Sequence, residues 1–332
     1  MSEVKKITPK KKFQFVNDYT SYVLNDGNDG VNEFLAQGGA GTSKEIVSFV
    51  LKHLVSGYKD VPVPKEFDIR PGCTAIQRKR VEGEGYRFGR SYDFEPHKMM
   101  IIKNEPENGY KSVSSIDTYF ITGAFGKAGS AMPMWLIKKF GLYVPVDGMN
   151  EKGLAMSVNM ISDDAVIEQD TGKTRQIIVS AVRTILDLAA TTDEALEILK
   201  NTDMRSWPGF LCHLAIADAN GHMVVVEYID NEIFIKETPV VTNFYMKEDH
   251  PKFGVGTEQS HIRYDNVMAH FSEKGEYSHD EMKEELRGVA KSNFPDDFHT
   301  TEWSIIYDQK KLTATYYRRE DFENGFQISL MD

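Results

Sequence analysis

The sequence predicts an α+β fold built in layers. Three observations carry that expectation. Strand-like runs come in groups joined by tight-turn signals, helical segments come in pairs between those groups, and no internal repeat is present. With 332 residues, 41% of them hydrophobic, the chain is long enough to bury a sizeable core.

Residues 1 to 72 differ from the rest. Lys5, Lys6 and Lys10 to Lys12 read as a solvated arm. The segment after them, Phe13-Gln14-Phe15-Val16-Asn17-Asp18, is too polar for a secretory signal. Gly38-Gly39-Ala40-Gly41 precedes Thr42-Ser43-Lys44-Glu45, and Thr42 and Glu45 have the spacing of a capping box. Ile46, Val47, Phe49, Val50, Leu51 and Leu54 then recur at helical spacing, with Gly57 placed to close the helix. The glycine patch lacks the Gly-Lys-Ser/Thr order of a phosphate loop, so it reads as a turn feeding a helix. Val61-Pro62-Val63-Pro64 and Arg70-Pro71-Gly72 make an extended linker that ends at Cys73.

From Cys73 onward strands dominate. Cys73 to Arg78 and Tyr86 to Arg90 flank a turn at Val81-Glu82-Gly83-Glu84-Gly85. Helical periodicity runs from about Ile177 to Leu188, and Thr191-Thr192-Asp193-Glu194 caps a second, shorter helix. Asn220-Gly221 between two apolar runs is a strong hairpin signal, and Asp230-Asn231 turns the second run into Ile233-Phe234-Ile235. A further helix is expected from about Asp280 to Val289, and a further hairpin around Asp308-Gln309-Lys310.

Composition excludes several functions. A net charge of −11 argues against a nucleic-acid partner, which needs a basic footprint. No stretch approaches the ~18 apolar residues of a membrane span, and the chain reads as cytoplasmic. The nine histidines contain no His-x-x-x-His pair, and two isolated cysteines, Cys73 and Cys212, are not a zinc site, so no metal or cofactor is expected. No Gly-x-Ser-x-Gly nucleophile elbow occurs.

The hairpin beginning at Cys73 carries the chemistry. With its turn centred near Gly83, residues 73 and 93 meet at the open end, give or take a residue or two, with Arg90 nearby. A free thiol titrates at about 8.5 and is mostly protonated at neutral pH; a neighbouring guanidinium favours the thiolate. A base is still needed. A distant imidazole such as His213 is one source. The α-amino group that Cys73 would gain on cleavage of the Gly72–Cys73 bond is another, since it titrates at about 7.7–8.0. Asp93 would hold that amine. The competing reading is a structural cysteine on a strand beside an Arg–Asp ion pair.

These residues resemble the choloylglycine hydrolase and penicillin V acylase family, cysteine N-terminal-nucleophile hydrolases. The resemblance runs through Gly72-Cys73-Thr74, Gly89-Arg90-Ser91-Tyr92-Asp93-Phe94, Asn150-Glu151-Lys152-Gly153-Leu154, the His213 to Tyr228 hairpin, Thr242-Asn243, Ser260-His261-Ile262-Arg263-Tyr264 and Thr301 to Tyr307. It covers nearly everything after residue 72. It implies a four-layer αββα sandwich, preceded here by an N-terminal helical propeptide of residues 1–72, with the catalytic domain at 73–332. It also implies roles: Cys73 as nucleophile and, through its amine, base; Arg90 beside the thiol; Asp93 holding the amine; Asn159 and Asn243 at the oxyanion site; Arg263 as a second active-site arginine. Asn150 reads as a turn residue and His213 as a core or supporting histidine.

Three features depart from bile salt hydrolases. Cys73 is preceded by 72 residues, Ser91 stands where the family usually has Asn, and only 20 positions (263 − 243) separate Asn243 from Arg263, so a loop that helps those enzymes assemble is missing. The long leader is more like the propeptides of acid ceramidase and isopenicillin N acyltransferase relatives. The resemblance implies a self-processing amidohydrolase of a small N-acyl amide: an N-acyl amino acid, a conjugated bile salt or a penicillin V type compound. Met132-Pro133-Met134-Trp135 is either part of an acyl pocket or core packing. An acyltransferase, an unprocessed binding protein and a Cys73–His213 protease are the alternatives. The oligomeric state, a homo-oligomer included, is left open.

Overall fold

The computed structural model describes residues 4–55, 72–207, 211–294 and 300–332. Two large sheets pack face to face. The first has eight strands, in the order Lys5–Lys6, Phe326–Ser329, Thr313–Arg318, Thr300–Asp308, Tyr86–Phe94, Gly72–Arg80 and Val240–Val241, with Glu276–Tyr277 also pairing to Gly72–Arg80. The second has nine, in the order Glu232–Glu237, Met223–Ile229, Leu211–Ala217, Ala155–Ile161, Asp147–Asn150, Ser112–Asp117, Met99–Glu105, Thr20–Asp26 and Phe13–Asn17.

Helices cover both outer faces. Ile178–Leu188 and Thr192–Lys200 lie on the second sheet; Glu258–Glu273 and His279–Gly288 lie on the first. The architecture is therefore the α+β, four-layer αββα sandwich that the sequence led us to expect. Burial explains the strand composition. Leu211–Ala217 is buried at every residue, between helices on one face and the first sheet on the other, so apart from His213 its residues are apolar or small on both faces rather than alternating with polar ones. A separate apolar cluster that includes Ile76, Val240, Val267, Met282, Leu286 and Ile306 fixes the outer helices to the first sheet.

Local signals in the sequence correspond to elements. The hydroxyls of Thr42 and Thr191 accept from the amides of Glu45 and Glu194, each at 3.2 Å. Asp230 and Asn231 both have positive φ, 51° and 66°, as a two-residue hairpin turn requires. Asn150 is a buried turn residue: its Oδ1 accepts from the amides of Lys152 and Leu154, both at 3.1 Å, and its Nδ2 donates to the carbonyls of Leu186 and Ala189.

The leader contains more than helices. Val31–Ala36 and Ser43–Phe49 are α-helical and Val50–Leu54 continues as a π-helical turn. Around them, leader strands enter all three sheets. Thr20–Asp26 runs parallel to Met99–Glu105 over seven residue pairs. Lys5–Lys6, from the expected solvated arm, is exposed yet pairs with Phe326 and Gln327. Gly39–Ala40 pairs with Arg175 and Gln176 in a third, three-stranded sheet, in the order Thr202–Arg205, Thr174–Ile177 and Gly39–Ala40. The Gly57 helix stop and nearly all of the linker, residues 56–71, lie outside the described residues. No helix among the described residues is long and apolar enough to cross a membrane.

Candidate active site

The site forms where the open end of the Gly72–Arg80 and Tyr86–Phe94 hairpin meets the second sheet. The hairpin register sits one residue from the expected one. Cys73 is the Cα partner of Tyr92, and Gly72 is the partner of Asp93. This offset matters because neighbouring side chains alternate across a sheet. Cys73, Arg90 and Tyr92 face the second sheet, while Asp93 and Thr74 face the outer helices.

On the inner face the Cys73 thiol is 1% exposed, and its Sγ lies 3.7 Å from the Val158 carbonyl. Arg90 reaches the same carbonyl through Nη2 at 3.2 Å, donates to the Ser91 carbonyl, and places Nε 3.5 Å from Asp147 Oδ2. Burial pushes the Cys73 thiol up from its ordinary value; Arg90 opposes that rise and Asp93 adds to it. Asp147 is also pushed up by burial, against the pull of Arg90. Trp303 Nε1 and Tyr307 Oη donate to its two oxygens at 3.1 and 2.9 Å.

On the outer face Asp93 Oδ2 accepts from Arg263 Nη1 at 2.9 Å, and Oδ1 accepts from Thr301 Oγ1 at 2.7 Å and Ser91 Oγ at 3.3 Å. Arg263 comes from the helix Glu258–Glu273 but is not a surface residue. It is 3% exposed and also donates to the Cys73 carbonyl and to Thr74 Oγ1. Asn243 closes the set. Its Oδ1 accepts from the Cys73 amide at 2.7 Å and from Arg263 Nη2 at 3.0 Å, and its Nδ2 donates to the Met160 carbonyl at 2.7 Å.

The structure thus brings Cys73, Arg90, Asp93, Asn243 and Arg263 together. Asn159 is adjacent but its side chain is engaged elsewhere. Its Nδ2 donates to the Val241 carbonyl at 3.3 Å and its Oδ1 accepts from Ser157 Oγ at 2.8 Å. The sequence reading gave no role to Asp147, Ser91, Thr74 or Thr301. Asp147 opens the Asp147-Gly148-Met149-Asn150 stretch, and a carboxylate directly after the apolar Val144-Pro145-Val146 was the available signal.

His213 is not a base for Cys73. Its ring nitrogens are held by Glu227 Oε1 at 3.1 Å and the Thr242 carbonyl at 2.8 Å. Among the described residues no histidine lines the cavity beside the thiol. That cavity has a volume of about 20 Å³, room for roughly one water, and is lined by Tyr92, Phe120, Val158, Met160, Trp207 and Cys212 among others. Cys212 is buried and free, as is Cys73. Met132, Met134 and Trp135 do not line it; Trp135 is 53% exposed. No group of three metal-ligating side chains occurs among the described residues.

An arrangement of this kind can do acyl-transfer chemistry. A thiol sits beside a guanidinium, and the nitrogen of the same residue is held by an amide oxygen next to an Arg–carboxylate pair. Comparison with solved structures gives the same fold in two cases. A variant of conjugated bile acid hydrolase from Clostridium perfringens superposes with a TM-score of 0.55 at 16% identity, covering 74% of this chain and 89% of that one. A second variant of the same protein gives a TM-score of 0.54 at 16% identity, with the same coverage. Penicillin V acylase from Agrobacterium tumefaciens gives a TM-score of 0.44 at 16% identity, with 77% of each chain covered. No curated protein sequence matches the chain. Residues 139–321, a span that holds Asn159, Asn243 and Arg263 and more than half of the chain, match the model of one family, and the chain belongs to it: the Acyl-coenzyme A:6-aminopenicillanic acid acyl-transferase family.

Proposed function

We propose that the chain is a self-processing cysteine amidohydrolase that cleaves the linear C–N bond of an N-acyl amide through a thioester on Cys73. The observation that carries this is the placement of the Cys73 nitrogen. It lies 2.7 Å from Asn243 Oδ1, at a strand end where Gly72 abuts the Asp93 carboxylate.

Cleavage of the precursor begins with attack of Sγ on the Gly72 carbonyl carbon. An S–C bond forms, the C–N bond to Cys73 breaks, and the thiol proton ends on the departing nitrogen. Water then opens the thioester, leaving a carboxylate on Gly72 and a free thiol and amine on Cys73. The new amine serves as base in later turnovers, because it titrates near neutral pH. Asn243 Oδ1 holds it, Arg263 holds Asn243 and the Cys73 carbonyl in turn, and Asp93 is the counter-charge. Substrate follows the same route, with its acyl group on Sγ and its amine as leaving group. Oxyanion donors at such a site are worth about 3–4 kcal/mol each. We assign that role to Asn243 Nδ2, once it releases the Met160 carbonyl.

The substrate class is a small N-acyl amide: an N-acyl amino acid, a conjugated bile salt or a penicillin V type compound. The name of the matched family favours a second outcome at the same thioester, in which an amine replaces water as acceptor and the enzyme is an acyltransferase.

The test is intact mass under denaturing conditions, wild type beside Cys73→Ala. The expected result is a wild type in two pieces divided at Gly72–Cys73, and a whole variant. Two whole proteins would overturn the proposal and leave a binding protein of the same fold. Cleaved enzyme is then assayed on N-acyl amides with and without an added amine, which separates hydrolysis from transfer.

A further inference from the structure

We infer that His213 and Glu227 form a buried clamp that positions Asn243, and through it the nitrogen of Cys73, for the reaction proposed above. The pair touches no reacting atom. It holds the two ends of the short segment that carries Asn243.

His213 lies on Leu211–Ala217 and Glu227 on Met223–Ile229, both at 0% exposure. His213 Nε2 lies 2.8 Å from the Thr242 carbonyl. A carbonyl can only accept, so Nε2 carries a hydrogen. Nδ1 shares a proton with Glu227 Oε1 at 3.1 Å, and the same Oε1 accepts from the Met246 amide at 2.9 Å. The clamp therefore grips residue 242 through its carbonyl and residue 246 through its amide. Asn243 sits between the two grips.

This segment needs external anchors. The strand before it, Val240–Val241, is only two residues long. Beyond it the ladder is reduced to one bridge, Phe244 to Gly256. Three buried groups supply what the ladder lacks. Asn159 Nδ2 donates to the Val241 carbonyl, His213 to the Thr242 carbonyl, and Glu227 takes the Met246 amide. Asn159 and His213 are Cα partners on neighbouring strands, so they present a pair of donors in register with consecutive carbonyls. A buried polar pair is weak evidence for stability, because apolar residues of similar volume often serve as well. Here each partner gives one hydrogen bond to the backbone that flanks Asn243, and the two are joined to each other, which points to placement.

Three variants of the full chain test the clamp. His213→Gln keeps an N–H for the Thr242 carbonyl. His213→Leu removes it. His213→Leu/Glu227→Met removes both polar groups, leaves no stranded carboxylate, and guards against failure to fold. Gly72–Cys73 cleavage is followed by intact mass. The two variants containing His213→Leu are expected to cleave roughly 100-fold slower, the size of losing one preorganised group at an acyl-transfer site, and His213→Gln to recover to within several-fold of wild type. A double variant that melts like wild type and cleaves at the wild-type rate overturns the clamp.

A second readout is independent of cleavage. In a Cys73→Ala background, the amide hydrogen of residue 73 reports its bond to Asn243 Oδ1 directly. The double substitution is expected to speed its exchange by about tenfold or more, with the Arg78 amide on the same strand unchanged. Unchanged exchange at residue 73 overturns the clamp whatever the protein's activity. Absence of cleavage in the wild type, with exchange altered as expected, overturns the hydrolase proposal and leaves the clamp standing.

Discussion

Gly72 and Asp93 are Cα partners at the open end of the hairpin, and a Cβ on residue 72 would lie 2.9 Å from Asp93 Oδ2 and 3.1 Å from Asp93 Cβ. The residue before Cys73 is therefore small because the carboxylate occupies the space a side chain would take. Gly72→Ala must move either the strand or the carboxylate, and Asp93 is held by Arg263, Thr301 and Ser91. Overpacking of this kind costs about 1–3 kcal/mol. Set against the barrier to cleavage, that predicts processing roughly ten- to a hundredfold slower, read by intact mass over time. Cleavage at the wild-type rate would show that the contact does not constrain the reacting geometry.

The pH dependence of the proposed processing follows from the thiol. Burial holds Cys73 above its ordinary value, so the precursor starts in the unreactive protonated form, with Arg90 limiting the rise. Thiolate is the nucleophile, so the cleavage rate of the precursor should climb with pH through neutrality, by up to about tenfold per unit below the thiol pKa. Arg90→Gln removes the opposing charge, raises the thiol further and moves the profile to higher pH. A profile that is flat from pH 6 to 9, or unmoved by the substitution, would show that thiol ionisation does not limit the step.

Legibility in the sequence tracked how local each interaction is. The hairpin of Cys73 was readable because the turn from Val81 to Gly85 fixes both strands, and the one-residue offset in register reflects only where the turn is centred. The paired helices and the Asn220-Gly221 and Asp230-Asn231 turns were readable from caps and turn chemistry. The leader strands were not. Thr20–Asp26 pairs with Met99–Glu105, a partner nearly eighty positions away and parallel to it, and no short-range pattern encodes such a partner. Asn159 illustrates the same limit at the site. Its position is on the expected strand, but its side chain answers to Val241, which only the fold brings near.

Asn243→Ala should be the most damaging single change after Cys73→Ala. It leaves the Cys73 amide, Arg263 Nη2 and the Met160 carbonyl without their partner in a buried site. Buried groups left unsatisfied cost about 1–3 kcal/mol each. Processing is expected to stop on the time scale of the wild type. Asn243→Asp keeps an acceptor for the Cys73 nitrogen and for Arg263 but lacks the Nδ2 donor. It should therefore process faster than the alanine variant yet turn over substrate roughly 10²–10³-fold slower than wild type. Equal loss in both variants would mean that the acceptor has no separate role.

The leader is expected to remain bound after the proposed cleavage, because its strands are shared with all three sheets and because Asp29 is held by residues that follow Cys73 in the chain. Asp29 Oδ2 accepts from Asn104 Nδ2 at 2.6 Å, and its carbonyl accepts from Tyr143 Oη at 2.8 Å. Its carboxyl also acts on that of Asp187, which Arg183 contacts, and two neighbouring buried carboxyls hold one proton between them more readily than they ionise together. Burial pushes Asp187 well up, with Arg183 opposing. At Asp29 burial also acts upward, but the bond from Asp187, the charge of Arg183 and the bond from Asn104 outweigh it, and the group is lowered. The signs then fix a window. The Asp29 contribution is present above the unfolded value of about 3.9 and is lost as pH falls through its lowered value. The Asp187 contribution is complete below that unfolded value and is lost as pH rises through its raised value. The grip on the leader should thus be strongest between the two and loosen with alkali. Size exclusion of the cleaved protein should show both pieces co-eluting near pH 6, with dissociation or a falling melting temperature as pH rises. Asp187→Asn, which cannot lose that proton, should hold the leader to higher pH, and Asp29→Ala should weaken it at every pH. A leader that separates from the wild type near pH 6 would mean that cleavage itself disrupts these strands.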